Sequence, residues 1–255
     1  MKVIFLNILD GCKENDRFDR IIEFVKTQDP DILALSELNE WDASDRLKIF
    51  QKRTGYQNII FCKANTGYNL GLFSKKRFSS YKIIKQGLWH GLIIADIQFD
   101  RKKLVFAFTH LSPKDEDIRI KEIKKIVRMI NKKDKIVFLG DMNSLSPKDG
   151  YNDKKLIKNF KYNDIKKFGT DKLRKEVISK IERFGFVDAI LKFSRKLEFS
   201  VPSPINTDKD HGEKLRLDYV FLKNLSSELE DARIIRNKKT DTLSDHYPVM
   251  VRLNI

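Results

Sequence analysis

Short apolar runs alternate with amphipathic stretches in the first part of the chain. Lys2–Ile8 has the pattern of a buried strand, and Asn15–Gln28 carries apolar residues at helical spacing. A second short apolar run, Ile32–Leu35, and a second helical pattern, Ala43–Thr54, follow. The chain is therefore predicted to begin with strand, helix, strand and helix.

Between positions 57 and 111 the pattern changes to consecutive strand-like runs, separated by polar or glycine-containing turns. Such a succession predicts antiparallel pairing. The predicted strands in this part are Ile59–Phe61, Leu70–Ser74, Tyr81–Gln86, Leu92–Phe99 and Leu104–Thr109.

The rest of the chain mixes both patterns. Helices are predicted over Asp115–Asn131, Asp153–Phe160 and Asp171–Phe184, and strands over Ile136–Leu139, Leu215–Leu222, Ala232–Arg236 and Pro248–Leu253. We find no internal repeat and no linker rich in Pro or Gly, so residues 1–255 are predicted to form one domain. Two packed sheets covered by helices are expected, because each sheet must bury both of its faces.

Composition narrows the class of protein. A hydrophobic fraction of 41% with 18 Phe predicts a folded chain, and a charged fraction of 34% predicts a soluble one. The apolar runs are too short to cross a bilayer, so no membrane insertion is expected. Cys12 and Cys62 have a spacing typical of neither structural zinc nor a disulfide framework, which favours the reducing cytoplasm.

Charge indicates the kind of partner. A formal net charge of +15 would attract polyanions, and nucleic acid is the predicted one; no obligate protein partner is inferred. A general richness in lysine is the alternative explanation, since Lys greatly outnumbers Arg. The basic tract 154–175, with nine Lys or Arg, could grip a nucleic-acid backbone or could be an ordinary solvated helix face.

Polar side chains lie at or near the ends of several predicted strands, where α/β architectures place their sites. They are Asn7, Glu37, Asp141, Asn143, Asp218, Asp245 and His246. Asp218 falls within Leu215–Leu222, and Asp245 and His246 immediately precede the last strand. Mg²⁺ prefers oxygen ligands. Glu37 suits this ion best, because a carboxylate at the end of a buried strand needs a partner or a metal. An exposed loop glutamate is the alternative.

His246 is the candidate for proton transfer, because imidazole titrates near neutral pH. Adjacent residues of an extended chain point in opposite directions. Asp218, on another strand, is therefore expected to orient His246, which leaves Asp245 for a metal or substrate.

Asp141 and Asn143 are two residues apart and could face one site, or they could form an Asx turn that caps the next element. His110, at the end of a predicted strand, could contact a phosphate oxygen as an imidazolium, or it could simply cap the strand. His90 and His211 are expected at the surface.

Taken in order, these segments resemble the endonuclease/exonuclease/phosphatase superfamily, which includes DNase I. The motifs are Leu6-Asn7, Ser36-Glu37, Gly67-Tyr68 with Gly71-Leu72-Phe73-Ser74, Thr109-His110-Leu111, Gly140-Asp141-Met142-Asn143, Arg216-Leu217-Asp218-Tyr219 and Ser244-Asp245-His246-Tyr247-Pro248. Each motif is weak evidence by itself, but seven motifs in the order typical of the superfamily are specific evidence for the resemblance.

The resemblance implies a four-layer α/β/β/α sandwich, with two mixed central sheets flanked by helices. It implies a Mg²⁺ or Mn²⁺ site bound chiefly through Glu37, with Asn7 and Asp245. In the catalytic roles that it implies, His246 is the general base or a phosphate contact and is oriented by Asp218. Asp141 acts on the attacking water or on the leaving oxygen. Asn143 and His110 contact a phosphate oxygen. Tyr68 and Arg216, with Asn143 and His110, are the expected substrate contacts.

The predicted function is hydrolysis of nucleic-acid phosphodiester bonds by in-line attack of water. Leu9 stands where abasic endonucleases of the superfamily typically carry Asp, so one metal-site carboxylate is missing or displaced to Asp10. The Thr109-His110-Leu111 form also departs from those enzymes, which have Tyr in place of His110. The alternatives are an inositol-phosphate or phospholipid head-group phosphatase or phosphodiesterase, and, less expected, a non-catalytic binding protein on this scaffold.

Overall fold

A computed structural model describes residues 1–14, 16–100, 102–194 and 198–255. The strands are β1 (Lys2–Asn7), β2 (Ile32–Ser36), β3 (Asn58–Cys62), β4 (Leu70–Ser74), β5 (Phe78–Ile84), β6 (Leu92–Phe99), β7 (Lys102–His110), β8 (Ile136–Asp141), β9 (Val187–Asp188), β10 (Asp218–Lys223), β11 (Leu229–Ile234) and β12 (Val249–Leu253). The helices are α1 (Arg17–Gln28), α2 (Arg46–Thr54), α3 (Glu116–Ile130), α4 (Asp153–Tyr162), α5 (Glu176–Arg183) and α6 (Ala189–Ser194).

The strands form two mixed six-stranded sheets. One has the order β11-β12-β1-β2-β4-β3, and the other has the order β5-β6-β7-β8-β10-β9. Within each sheet two strands run parallel, β1 beside β2 and β7 beside β8, and the other pairs are antiparallel. The antiparallel pairing predicted for positions 57–111 is confirmed within each sheet.

Apolar side chains fill three layers. A central core between the sheets includes Phe5 of β1 and Phe108 of β7, whose ring centroids are 5.7 Å apart. Helices α1 and α2 cover the outer face of the first sheet, and α3 and α5 cover the outer face of the second. The predicted sandwich of two sheets between helices is confirmed. No helix among the described residues is long and apolar enough to cross a membrane.

Several element boundaries differ from the prediction. Helix α5 begins at Glu176, five residues after the predicted start at Asp171. Strand β10 begins at Asp218, because Leu215 bridges to Val201 outside the sheet. The predicted start of the first helix, Asn15, lies outside the described residues. Strand β9 and helix α6 were not predicted, since two residues and six residues are too short for a periodic signal.

Gly140 lies where β7 and β8 pair, immediately before Asp141. Its φ is +146°, and a Cβ built on it would lie 1.8 Å from the backbone oxygen of Thr109. Only glycine fits this conformation and this close approach. The residue type at position 140 therefore determines how Asp141 is presented at the strand end.

A buried ion network fixes the approach to β10. The Arg216 side chain is fully buried, with Nη2 2.5 Å from Oδ1 of Asp149 and Nη1 2.7 Å from Oδ2 of Asp188. Its guanidinium carbon lies 4.5 Å from the centroid of the Tyr219 ring. Two carboxylates and one aromatic face thus surround the guanidinium, and the segment before Asp218 is held in place.

Replacing Gly140 by Ala is expected to lower the free energy of unfolding by on the order of 3 kcal/mol, because the added Cβ clashes with backbone and the φ is unfavourable. Gly150→Ala is the matched control: Gly150 also has a positive φ, +65°, but nothing lies within 4 Å of the added Cβ. That control should cost about 1 kcal/mol. Denaturant unfolding measures both, and equal losses would contradict the steric argument.

Arg216→Met is expected to lower the free energy of unfolding by about 3–5 kcal/mol, since it leaves Asp149 and Asp188 buried without their cation. Arg233→Met removes an exposed arginine, 3.7 Å from Asp231, and should change stability by less than about 1 kcal/mol. Chemical denaturation of the two variants beside the unsubstituted protein tests this. A comparable loss in both variants would show that burial of the Arg216 pairs is not the cause.

Candidate active site

The parallel strands bring Asn7 and Glu37 together at one edge of the first sheet. Asn7 ends β1 opposite Ser36 of β2, and Glu37 follows at once. The Asn7 Nδ2 donates to Glu37 Oε1 at 2.9 Å, and the backbone N of Asp10 donates to Glu37 Oε2 at 3.0 Å. Burial raises the pKa of Glu37. The two hydrogen bonds oppose this rise, and the nearby Asp245 carboxylate adds to it.

The second sheet presents Asp141 at its corresponding edge. Asp141 ends β8, where it pairs with His110 of β7 on one side and with Asp218 of β10 on the other. Its Oδ1 accepts from the backbone N of Asn143 at 2.8 Å. Its Oδ2 lies 3.4 Å from Asn7 Nδ2 and 3.4 Å from His110 Nε2. The Asx turn uses one carboxylate oxygen of Asp141 and leaves the other facing Asn7 and His110.

His246 is held by Asp218, as the sequence indicated. The His246 Nδ1 lies 2.7 Å from Asp218 Oδ2, both side chains are buried, and His246 Nε2 lies 4.0 Å from Asp141 Oδ2. Burial alone would lower the pKa of His246, but the carboxylates of Asp218, Asp245 and Asp141 outweigh burial and raise it to about 10. Burial, followed by the charge of Asp218, raises the pKa of Asp141 to about 7.

Two residues expected at the surface lie in this site instead. His211 is 7% exposed, and its ring centroid is 5.1 Å from that of His246. Its Nδ1 lies 3.5 Å from Asp245 Oδ2. His90 is 3% exposed, and its ring centroid is 4.3 Å from that of His110. Both come from loops without periodicity, so no sequence signal indicated their burial.

Lys167 is the third residue that sequence reasoning missed. It belongs to the basic tract 154–175, yet it is only 6% exposed, and its Nζ lies 3.1 Å from His211 Nε2. Other lysines of the tract are exposed and pair with surface acids, for example Lys166 with Asp164 at 3.0 Å. The solvated-helix interpretation fits those lysines but does not fit Lys167.

His110 and Asn143 lie beside Asp141 and contact each other. The Asn143 Nδ2 donates to the Leu111 backbone oxygen at 2.9 Å and lies 3.1 Å from His110 Nε2. Burial, with a smaller effect of His90, holds the pKa of His110 well below its usual value. This direction favours a neutral ring, whose Nε2 can accept from Asn143 Nδ2.

Of the other residues expected to contact substrate, Tyr68 lies beside the site and Arg216 lies in the interior. Tyr68 is 40% exposed, and its ring centroid lies 5.4 Å from that of His90, so its face is open beside the site. Arg216, an expected substrate contact, is instead fully buried in the network with Asp149 and Asp188, because the chain turns away before Asp218. Asp10, the candidate for a displaced metal carboxylate, accepts from Asn39 Nδ2 at 2.5 Å.

The donors at this edge fit a hard divalent cation. Oxygen atoms of Glu37, Asp245 and Asn7 are the donor type that Mg²⁺ takes. Within the described part of the chain, two groups of three potential ligands have ligand atoms within 4.8 Å of one another: Asp141, Asp218 and His246, and His211, Asp245 and His246. Glu37 belongs to neither group, but burial and, to a smaller extent, the Asp245 carboxylate raise its pKa, and a cation would stabilise its charged form.

Comparisons with solved structures agree with this fold. The chain superposes on D. rerio TDP2 in complex with a single-strand DNA product with a TM-score of 0.71 and 17% identity, covering 100% of this chain and 99% of that one. An AP endonuclease from Archaeoglobus fulgidus gives 0.71 and 18%, and a 3'-5' exonuclease from Neisseria meningitidis gives 0.71 and 16%, each with 100% of both chains covered. No curated protein matches in sequence.

The sequence itself matches a family. The Endonuclease/Exonuclease/phosphatase family covers residues 5–246, a span from the first strand to His246 that includes every polar residue assembled above. Members of this superfamily are generally dependent on divalent metals, and family and fold together support a phosphoesterase. The chain belongs to the endonuclease/exonuclease/phosphatase family, with a DNase I-like fold.

Proposed function

We propose that this protein is a Mg²⁺-dependent hydrolase, with Mn²⁺ as an alternative ion, that cleaves phosphodiester bonds in nucleic acid. The observation that carries the proposal is the position of His246. Its Nδ1 is held by Asp218 at 2.7 Å, and its Nε2 faces Asp141 at 4.0 Å. A fixed imidazole facing a second buried carboxylate is the arrangement that proton transfer to and from a reacting phosphate requires.

The charge balance supports a bound cation. Four carboxylates, those of Glu37, Asp141, Asp218 and Asp245, surround the raised-pKa imidazole of His246. Crowded buried carboxylates are costly unless cations compensate them. Glu37, Asn7 and Asp245 would hold the ion, which would stabilise the negative charge that develops on phosphate oxygens.

The chain's own residues supply the proton transfers. With its pKa raised to about 10, His246 is an imidazolium at neutral pH, and its Nε2–H donates to a phosphate oxygen or to the leaving oxygen. Asp141, with a pKa raised to about 7, accepts the proton of the attacking water. Asp218 fixes the tautomer and orientation of His246. Asn143 and His110 hold the Asp141 side of the site in place.

Nucleic acid is the proposed substrate for two reasons. The net charge of +15 attracts a polyanion, and the exposed ring of Tyr68 beside the site offers a surface on which a base can stack. The similar structures, a DNA-product complex, an AP endonuclease and a 3'-5' exonuclease, support the same substrate class. An inositol-phosphate or phospholipid head-group substrate is the second candidate, favoured by the Thr109-His110-Leu111 motif.

The proposal predicts Mg²⁺-dependent cleavage of nucleic acid that EDTA abolishes and that weakens as salt concentration rises, since bound phosphates release counterions. Single-stranded DNA, duplex DNA, abasic DNA, RNA and inositol polyphosphates are incubated in parallel, and the His246→Ala protein serves as blank. Release of inorganic phosphate from inositol polyphosphates, with every oligonucleotide intact, would favour the second candidate. Absence of cleavage of any nucleic acid at low salt contradicts the proposal.

Asp141→Asn and His246→Ala are each expected to lower kcat by on the order of a hundredfold or more, because each removes a proton-transfer group. Asp134→Asn is the matched control: it makes the same chemical change at an exposed residue just before the same strand, β8, and should keep full turnover. Thermal unfolding checks that all variants are folded. Unchanged turnover in a folded Asp141→Asn protein would remove Asp141 from the mechanism.

A further inference from the structure

Lys167 is a buried cation without an acidic partner. Its side chain is 6% exposed, and no described carboxylate lies within 4.0 Å of its Nζ. The contacts of the amine are His211 Nε2 at 3.1 Å and the ring of Phe168, whose centroid is 5.3 Å away. Among the other buried cations that the structure describes, Arg119 and Arg216 contact carboxylates directly, and Arg17 donates to backbone oxygens, including those of Ile8 and Leu9.

The amine lies on the side of the site formed by His211. An ammonium group only donates, so His211 Nε2 accepts from Lys167. The same ring packs against His246 with its centroid 5.1 Å from that ring. Burial lowers the pKa of Lys167, and the Asp141 carboxylate is the main charge that opposes this shift. Lys167 is thus close to the two groups proposed to transfer protons.

The backbone of Lys167 is firmly held. Arg119 of α3 is fully buried, and its Nη2 donates to the Lys167 backbone oxygen at 2.6 Å. The Arg119 guanidinium also lies 3.1 Å from Oε2 of Glu116. Glu116 in turn accepts from the Ser144 hydroxyl at 2.9 Å, just beyond Asn143. The lysine is therefore placed by the same buried network that supports the Asp141 turn.

A buried charge without a counter-ion is costly, and its desolvation is repaid only when an anion arrives. An ammonium ion with three donors suits a non-bridging phosphate oxygen, and such charge-assisted hydrogen bonds are the strong ones. A buried cation that served only to stabilise the fold would be expected to contact carboxylates, as Arg119 and Arg216 do, or backbone oxygens, as Arg17 does. Among the described residues, the amine of Lys167 has neither kind of contact and meets only His211 Nε2 within hydrogen-bond distance.

We propose that Lys167, oriented by His211, is an anion-binding residue that contacts a non-bridging oxygen of the substrate phosphate beside His246. This inference rests on the proposed function, because it adds a phosphate contact to the same site. Contact with a phosphate group, which the sequence suggested for the basic tract 154–175 as a whole, is thereby proposed for its buried residue Lys167.

Calorimetric titration of inorganic phosphate into the Mg²⁺-loaded protein tests the inference without any turnover. Lys167→Met is expected to weaken phosphate binding by on the order of tenfold or more, the effect of losing one charged hydrogen bond. Lys166→Met is the matched control, since it removes the same charge from the adjacent residue, which is 72% exposed, and should leave binding unchanged. Lys167→Arg should retain most of the affinity.

Thermal unfolding separates this role from a structural one. Without phosphate, Lys167→Met should melt at or above the temperature of the unsubstituted protein, because the substitution removes an uncompensated buried charge. A markedly lower melting temperature, or failure of Lys167→Met to fold, would show that Lys167 serves the fold and would overturn the inference. Phosphate binding as tight in Lys167→Met as in the unsubstituted protein would also overturn it, as would an unsubstituted protein that binds no phosphate.

The outcomes keep the two proposals apart. If the protein cleaves nucleic acid while its phosphate affinity is independent of Lys167, only the role of Lys167 is wrong. If phosphate binding depends on Lys167 but no nucleic acid is cleaved, the lysine contact stands and the proposed substrate is wrong.

Discussion

The parallel pairing of two strand pairs is the constraint on which the site depends. Because β1 lies parallel to β2, and β7 lies parallel to β8, each sheet collects the carboxyl ends of two strands at one edge. The antiparallel strand β10 supplies Asp218 at its opposite end, directly beside Asp141. The segment before β12 adds His246 in the same way. Residues far apart in sequence thus meet without any long loop having to carry them.

Electrostatics at this edge divides the buried charges into two kinds. Arg119 and Arg216 are paired with carboxylates and hold the segments around the site. In the site itself, burial raises the pKa of Glu37 and of Asp141, whereas His246 and His211 hold the pKa of Asp245 below its usual value. Buried carboxylates with raised pKa values are costly in their charged form, and in the proposed function a bound cation would offset that cost.

Sequence patterns predicted the sheets and most strand ends, because buried strands have a clear apolar signal and their ends bear the polar residues. They could not predict His90, His211 or Lys167, whose burial depends on how aperiodic loops fold over the strand ends. Arg216 was expected to contact substrate only through the resemblance of its motif, and the sequence did not indicate that Asp149 and Asp188 would enclose it in the interior.

The polar residues of the site come from both sheets. Glu37 belongs to the edge of one sheet and Asp141 to the edge of the other, so their separation is set by the thickness of the core between them. The tilted contact of Phe5 and Phe108, at 5.7 Å, is part of that spacer. Reactions of this kind are sensitive to shifts of about 1 Å. The size of the rings in the interior therefore sets the spacing of the proposed catalytic groups, so a substitution in the core could change that spacing without changing any residue of the site.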